Sequence, residues 1–114
     1  MNKIEISREL IKVVLEKETE TLSKDFNFNI NEDYIEFSDD GEMQFEYCIY
    51  KFAFRCKEWA YSTYGIMIQS YPYCGKSRAD ALKGLEVDEV FKENTEVEAI
   101  IKACTHILNS ISNK

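Results

Sequence analysis

The sequence lacks long apolar runs, has only one histidine and one proline, and carries no basic residue between positions 25 and 46. Without a run of about 20 apolar residues, no membrane-spanning helix is expected. The single histidine, His106, disfavours the histidine-rich sets of zinc and catalytic sites. Because the charged N-terminus also lacks an apolar signal-peptide core, we expect a cytoplasmic location.

The cysteines do not form a recognisable metal or redox motif. They are separated by 8, 18 and 30 residues, which matches neither CxxC pairs nor a zinc ribbon. In a reducing cytoplasm such thiols stay free and behave as small hydrophobic residues. We therefore predict no metal and no cofactor for the four cysteines, which are Cys48, Cys56, Cys74 and Cys104.

Two short fragments resemble binding motifs, and each lacks a required residue. Gly75-Lys76-Ser77 matches the end of a phosphate-binding loop, but Ser70 stands where its first glycine should be. The segment from Glu36 to Gly41 resembles the start of a calcium loop, but Tyr47 occupies the place of the closing carboxylate. With no nucleophile–base pair evident either, we predict a protein that is not an enzyme.

What the chain does have is a length of 114 residues, of which 45% are hydrophobic. That is enough for one domain with a conventional core. We predict a single α+β domain over residues 1–114. In it, helices pack as layers on a hairpin or small antiparallel sheet.

Apolar spacing and capping residues predict a helix at each end of the chain. The first begins at Ser7, a good N-cap residue, and continues to about Leu22. The last covers residues 96–111, after a capping box formed by Thr95 and Glu98.

The apolar residues of the aromatic stretch EYCIYKFAFRCKEWAYSTYG fit either a strand or a helix, and the helical spacing accounts for more of them. As a strand it would place Lys51 and Arg55 on a buried face. As a helix from Glu42 to Thr63, ended by Gly65, it gains one apolar stripe at spacings of three and four. The stripe consists of Phe45, Ile49, Phe52, Cys56, Trp59 and Ala60.

Alternating apolar residues predict β-structure elsewhere. Phe26, Phe28 and Ile30 indicate short strands or an extended arm, followed by a turn at residues 39–41. A second strand begins at residue 66 and must end at Pro72 or lie at a sheet edge.

Two further segments complete the chain between the second strand and the last helix. Residues 86–93 alternate weakly and form another short strand. We predict a polar loop over residues 74–84 between these strands.

The acidic segment, residues 25–46, is the main functional anomaly, with eight acids and no base. Such a segment is either a solvated edge or a negative surface that steers toward a basic partner. Nucleic acid is disfavoured as a partner, because it requires a basic footprint. The leading hypothesis is a non-enzymatic module that binds a basic protein surface through Asp33, Glu36, Asp39, Asp40 and Glu42.

Two other functions stay open. One is a homodimer, since seven Tyr, seven Phe and one Trp are many for this length and interfaces favour aromatics. The other is a pocket for a small ligand or nucleotide between sheet and helices. Its aromatic and basic contacts would come from Tyr64, Tyr71, Tyr73, Lys76 and Arg78.

CKEWAYSTYG, the strand pair after it and TEVEAIIKACTHIL resemble a group of small uncharacterised proteins of phages, prophages and bacteria, some described as phage ABA-sandwich domains. The resemblance covers residues 43–112 and implies an α-β-β-α unit there. It also implies an origin in a mobile element or its host, where an inhibitor of host defence is one role. No catalytic residue follows from it.

Overall fold

The computed structural model describes residues 4–31, 33–73, 76–83, 86–93 and 95–112, and it has the predicted α+β fold. Within these residues, the strands form two three-stranded antiparallel sheets, sheet A with order β1-β2-β3 and sheet B with order β4-β5-β6. The elements in chain order are α1 (Arg8–Val14), α2 (Glu16–Thr19), β1 (Asn27–Asn31), β2 (Tyr34–Asp39), β3 (Glu42–Cys48), α3 (Ile49–Tyr64), β4 (Ile66–Tyr73), β5 (Lys76–Lys83), β6 (Glu86–Glu93) and α4 (Glu96–Ser112).

The helix predicted over residues 7–22 is capped as expected but is interrupted in the middle. The Ser7 hydroxyl accepts a hydrogen bond from the backbone N–H of Leu10 at 3.2 Å. Leu15, fully buried, leaves helical geometry with φ −106 and ψ 43, so α1 and α2 are separate helices. Val13 is exposed although it is apolar.

The helix predicted over residues 42–63 begins only at Ile49, because the preceding residues form strand β3. Phe45 stacks on Phe37 of β2 with ring centroids 4.7 Å apart. This cross-strand contact stabilises the sheet and outweighs the helical spacing that Phe45 shares with Ile49 and Phe52. From Ile49 onward the predicted stripe is correct, although Trp59 is only half-buried.

The segment predicted as a polar loop over residues 74–84 contains β5, the central strand of sheet B. Ala79 and Ala81 are buried beneath the helices, and their small side chains let α4 pack closely on the strand. The α-β-β-α unit predicted over residues 43–112 is therefore α-β-β-β-α and begins at Ile49.

The predicted turns and caps are confirmed. Asp40 and Gly41 have φ of 56 and 79 and connect β2 to β3, as an Asp-Gly hairpin turn requires. Gly65 ends α3 in the left-handed conformation with φ 70. The N–H of Glu98 donates to the Thr95 hydroxyl at 3.2 Å at the start of α4.

The buried side chains of both sheets and of α1, α3 and α4 join in one hydrophobic core. Helices α3 and α4 pack on each other and on sheet B, and α1 lies against both helices. The Cys104 thiol donates to the Cys56 carbonyl at 3.5 Å in this core. Burial raises the pKa of the Cys56 thiol, and the hydrogen bond with Cys104 adds to the effect.

Two of the four cysteines are thus the buried free thiols that the sequence predicted. Cys48 is only half-buried at the junction of β3 and α3. Cys74 lies outside the described residues.

Candidate functional site

Sheet A has one apolar face in the core and one polar face in solvent, because side chains alternate along each strand. The inner face carries Phe28, Ile30, Ile35, Phe37, Phe45 and Tyr47. The residues that alternate with these along the strands form the opposite face, which we call the outer face of sheet A. They include Asn27, Asn29, Asn31, Tyr34, Glu36, Ser38 and Glu46.

The predicted acidic residues are spread along sheet A rather than gathered in one cluster. Asp40 and Glu42 are exposed at the turn between β2 and β3. Asp33 lies in the turn between β1 and β2 at the opposite end, about 20 Å away along the strand. Glu36 lies between them on the outer face, so the acids form a band along β2. We call Asp33, Glu36, Asp40 and Glu42 the acidic band.

In the middle of this band two carboxylates face each other across neighbouring strands. Glu36 of β2 pairs in register with Glu46 of β3. Glu36 also accepts a hydrogen bond from the Asn29 amide at 3.4 Å. Like charges opposite each other destabilise a sheet, and a cationic group between them would relieve the repulsion.

Asp39 links two segments of the chain through its carboxylate. Its carboxylate accepts hydrogen bonds from the backbone N–H and the hydroxyl of Ser23, at 2.9 and 2.6 Å. These bonds, the one from the hydroxyl first, lower the pKa of Asp39 below its usual value. Asp39 therefore links the segment before β1 to the end of β2.

A second surface, on α3, was missed by the sequence reasoning. Tyr50, Phe54 and Tyr61 are 59%, 63% and 61% exposed. Their spacing of four and seven residues places them in one row on the helix, opposite the buried stripe. We call these three residues the α3 aromatic face. The signal in the sequence was the helical spacing of these three aromatic residues, none of which belongs to the predicted core stripe.

The α3 aromatic face and the acidic band meet at Asp33. The Tyr50 hydroxyl donates to the Asp33 carboxylate at 3.2 Å, and the Ile49 N–H donates to the Asp33 carbonyl at 2.8 Å. The negative charge of Asp33, followed by this hydrogen bond, raises the pKa of Tyr50. The two surfaces are thus continuous through a direct contact.

A shallow pocket of about 380 Å³ opens beside this contact. Its arginine is already neutralised, because Arg55 pairs with Glu18 at 3.1 Å and also donates to the Val14 carbonyl at 3.2 Å. The Glu18 hydrogen bond raises the pKa of Arg55. The pocket therefore offers aromatic surface and the exposed Lys51, while the charge of Arg55 is paired. It is lined by Tyr47, Tyr50, Lys51, Phe54 and Arg55.

The residues proposed for a small-ligand pocket are not gathered around one cavity in the part of the chain whose side chains are described. The Tyr64 ring packs edge-on against Trp59, with centroids 5.5 Å apart. The Tyr71 hydroxyl donates to the buried Asp80 carboxylate at 2.7 Å. About 20 Å of backbone separates the two tyrosines along β4.

The other three residues of that proposal are Tyr73, Lys76 and Arg78, whose side chains lie outside the described residues. The backbone register places Tyr73 opposite Lys76 and Tyr71 opposite Arg78, at the hairpin end of sheet B. That end is distant from Tyr64 along the strand, and the ligand-pocket hypothesis stays a prediction.

Three further observations concern the described residues only. No three of their His, Cys, Asp and Glu side chains come together in a way that could hold a metal ion. The exposed His106 has its Nε2 atom 3.5 Å from the Ser110 hydroxyl. None of the described helices has the length and apolar character needed to cross a membrane.

Comparison of the chain with protein-family models, with curated proteins and with solved structures gives no match. The resemblance to phage ABA-sandwich proteins over residues 43–112 therefore stays a prediction. The functional proposal below depends on the geometry of the outer face of sheet A and the α3 aromatic face.

Proposed function

We propose that this chain is a non-enzymatic protein-interaction module that binds a basic protein surface. The observation that carries the proposal is the α3 aromatic face, three large aromatic side chains that are each more than half exposed. Exposed aromatic residues in one row are unusual on a surface without a partner and are enriched at protein interfaces. They would supply the buried centre of the complex.

The acidic band supplies the second half of the interface. The chain carries a net charge of −7, and residues 25–46 contain no base to offset their eight acids. Such a field accelerates encounter with a basic partner, and the effect weakens as salt screens it. The opposed pair Glu36 and Glu46 is a specific place for a lysine or arginine of the partner to bind.

The biological setting that we propose comes from the sequence resemblance. It is a cytoplasmic, phage-derived inhibitor of a host protein or defence system. The surface described above fits an inhibitor, because a small domain with an acidic and aromatic face can occupy the basic site of another protein.

A pull-down from host lysate tests the acidic half of the proposal. We compare the wild type with a triple variant, Glu36→Gln, Asp40→Asn and Glu42→Gln, which leaves the Ser23 contacts of Asp39 intact. We expect the triple variant to lose a basic protein that the wild type retains at low salt. Quantitative mass spectrometry measures the retained amount.

The matched control removes the same number of charges from exposed residues of α1, α2 and their junctions, through Glu9→Gln, Glu16→Gln and Glu20→Gln. This variant has the same net charge as the triple variant but an intact acidic band. We expect it to retain the partner. Equal loss in both variants would show that only the total charge matters, and the proposed surface would then be wrong.

The α3 aromatic face also favours a second function, the homodimer predicted from the aromatic content. Two copies of Tyr50, Phe54 and Tyr61 would bury each other's rings. Native mass spectrometry over a range of concentrations separates the two functions. A dimer that Phe54→Ser abolishes supports the homodimer, whereas a monomer at every concentration excludes it.

A further inference from the structure

An open groove of about 770 Å³ lies on a different part of the molecule, between α4, the segment of residues 4–7 and strand β1. This volume falls within the range of about 300–1,000 Å³ that is typical of ligand pockets. Helix α4 lines it with one face, at spacings of three and four residues. The lining residues on α4 are Glu98, Ile101, Lys102 and Thr105, and those on β1 are Phe28, Asn29 and Ile30.

Strand β1 is an edge of sheet A, and the register shows which of its backbone groups point outward. Asn31 pairs with Tyr34 directly across the turn, so this pair exchanges both of its backbone hydrogen bonds. Bonded and unbonded pairs then alternate, so Asn29 also bonds to β2, whereas Phe28 and Ile30 point their N–H and C=O groups away from it.

Because Phe28 and Ile30 also line the groove, we infer that their outward backbone groups face it. Among the described residues, no backbone hydrogen bond between elements ends on either of them. An unpaired edge of this kind is a template for an added strand. The edge therefore offers two donors and two acceptors to an extended chain.

The corresponding edge of sheet B is blocked at the equivalent position. Tyr73 pairs with Lys76 next to the turn of the β4–β5 hairpin, so the backbone nitrogen of Pro72 points outward. A proline nitrogen carries no hydrogen and cannot pair with an added strand. Strand β1 itself contains neither proline nor a basic residue. Arg8 of α1 donates to the Phe26 carbonyl just before the strand and lies 5.5 Å from the centre of the Phe28 ring, so an added strand would pair with Phe28 and Ile30 beyond this contact.

The floor of the groove is apolar and its rim is charged. Ile6 and Ile101 are buried beneath it, and Phe28 and Ile30 are half-buried on the same face of β1. An added strand would place every second side chain over this floor. The charged lining residues are Glu5, Glu98 and Lys102, which leaves one net negative charge.

We propose that this groove binds an extended segment of a partner protein, which adds as a strand to β1. The segment carries alternating apolar side chains for the floor and a lysine or arginine for Glu5 or Glu98. A second copy of this chain fits less well, because its own α4 and residues 4–7 would enter the same three-sided space. This site is separate from the α3 aromatic face and touches the acidic band only through Asn29, which lines the groove and donates to Glu36, so the two proposals can be tested independently.

A displayed library of random linear peptides is the probe for this site. Binders are selected on the wild-type chain alone, so Ile30→Pro, which removes the outward N–H, then tests them independently. The consensus peptide is then synthesised and its Kd is measured by fluorescence anisotropy. We expect selected peptides with alternating apolar residues and at least one base.

Ile30→Ala is the matched control, because it truncates the side chain but keeps the N–H. We expect Ile30→Pro to bind the peptide about tenfold more weakly than Ile30→Ala, the effect of one lost hydrogen bond. Pro72 shows that this fold accepts proline at an outward edge position. Circular dichroism and thermal unfolding check that both variants fold.

A second pair of variants decides the question even if Ile30→Pro does not fold. Thr105→Arg fills the groove and adds a positive charge, whereas His106→Arg adds the same charge at an exposed neighbour outside it. We expect only Thr105→Arg to abolish peptide binding. The proposal is overturned by a library without a consensus, by equal binding of both arginine variants, or by a dimer of the chain that pairs through β1.

Discussion

The two sheets of this protein solve the same packing problem with different side chains. Sheet A fills its inner face with large residues, and the Phe37 ring lies between Phe26 at 5.8 Å and Phe45 at 4.7 Å. In sheet B, the central strand instead presents the small residues Ala79 and Ala81 to α4. Large side chains of the strands therefore fill the core beside sheet A, whereas side chains of the helices fill the core beside sheet B.

The sheets also differ in what they leave open. Sheet A exposes an acidic outer face and an unprotected edge at β1. Sheet B has a proline in its edge strand β4. Because unpaired edges invite association, this contrast between β1 and β4 supports the strand addition that we propose at β1. It does not extend to β6, the other edge of sheet B, whose sequence contains no proline.

The largest effect is expected from removing volume from sheet A. Phe37→Ala deletes a fully buried ring and leaves a cavity between two other phenylalanines. We expect it to lower the free energy of unfolding by about 3–5 kcal/mol. Urea denaturation measures the loss, and Phe37→Leu, which keeps most of the volume, should cost much less. Equal losses for the two variants would contradict the packing described for sheet A.

Sheet B should respond to the opposite change, an addition of volume. Ala79→Leu inserts a large side chain at a fully buried position on the central strand, which α4 covers. We expect a loss of about 1–3 kcal/mol from overpacking. Gln69→Leu on the exposed face of the neighbouring strand is the control and should be nearly neutral. A stable Ala79→Leu variant would show that α4 does not pack closely on β5.

A smaller effect is expected at the glycines that join the elements of each half. Gly41 closes the β2–β3 hairpin and Gly65 ends α3, and both have positive φ with open space where a Cβ would be. Alanine at either position should therefore cost about 1 kcal/mol through backbone strain alone. Thermal unfolding of Gly41→Ala and Gly65→Ala measures it. We expect the two variants to lose similar amounts of unfolding free energy. Clearly unequal losses would show that a steric clash adds to the backbone strain at one of the two sites.

The smallest effect concerns pH and is confined to sheet A. The Ser23 hydrogen bonds lower the pKa of Asp39 in the folded protein, so they stabilise the fold while Asp39 is ionised. This contribution is present above the unfolded pKa and is lost as the pH falls through the lower, folded pKa. Ser23→Ala should raise the pKa of Asp39 toward its usual value. Carboxyl chemical shifts measured by NMR would check it, and an unchanged pKa would contradict the assigned cause.

Local patterns in the sequence predicted those elements whose signals do not depend on a distant partner. Ser7, Thr95 and Gly65 act as caps where the chain itself supplies the hydrogen bonds or the backbone freedom. The Asp40-Gly41 turn and the position of β4 at the edge of sheet B also follow from local backbone chemistry. These features could be read from a few adjacent residues.

The errors arose where tertiary pairing decides the structure. Phe45 has helical spacing to Ile49, but it stacks on Phe37, and that contact cannot be read from the residues around Phe45. Strand β5 was predicted as a loop because Ala79 and Ala81 carry little hydrophobic signal between charged neighbours. Both errors lie on strands that need a neighbour to form.

For the candidate site, the sequence located the acidic band but not its aromatic neighbour. Charge composition identifies Glu36, Asp40 and Glu42 without a structure, because a base-free segment is visible in any linear sequence. The α3 aromatic face depends on which side of the helix is buried. Only the packing of α3 on α4 and sheet B decides that Tyr50 and Phe54 remain exposed.

The most direct test of the proposed interaction surface is photo-crosslinking from position 54 in host lysate. A crosslinking residue replaces Phe54 in one variant and exposed Lys17, on α2, in a control variant. We expect position 54 to crosslink a basic protein that position 17 does not, and added salt to reduce the yield. The same crosslinks from both positions, or crosslinks only between copies of this chain, would contradict the proposed interaction with a basic partner.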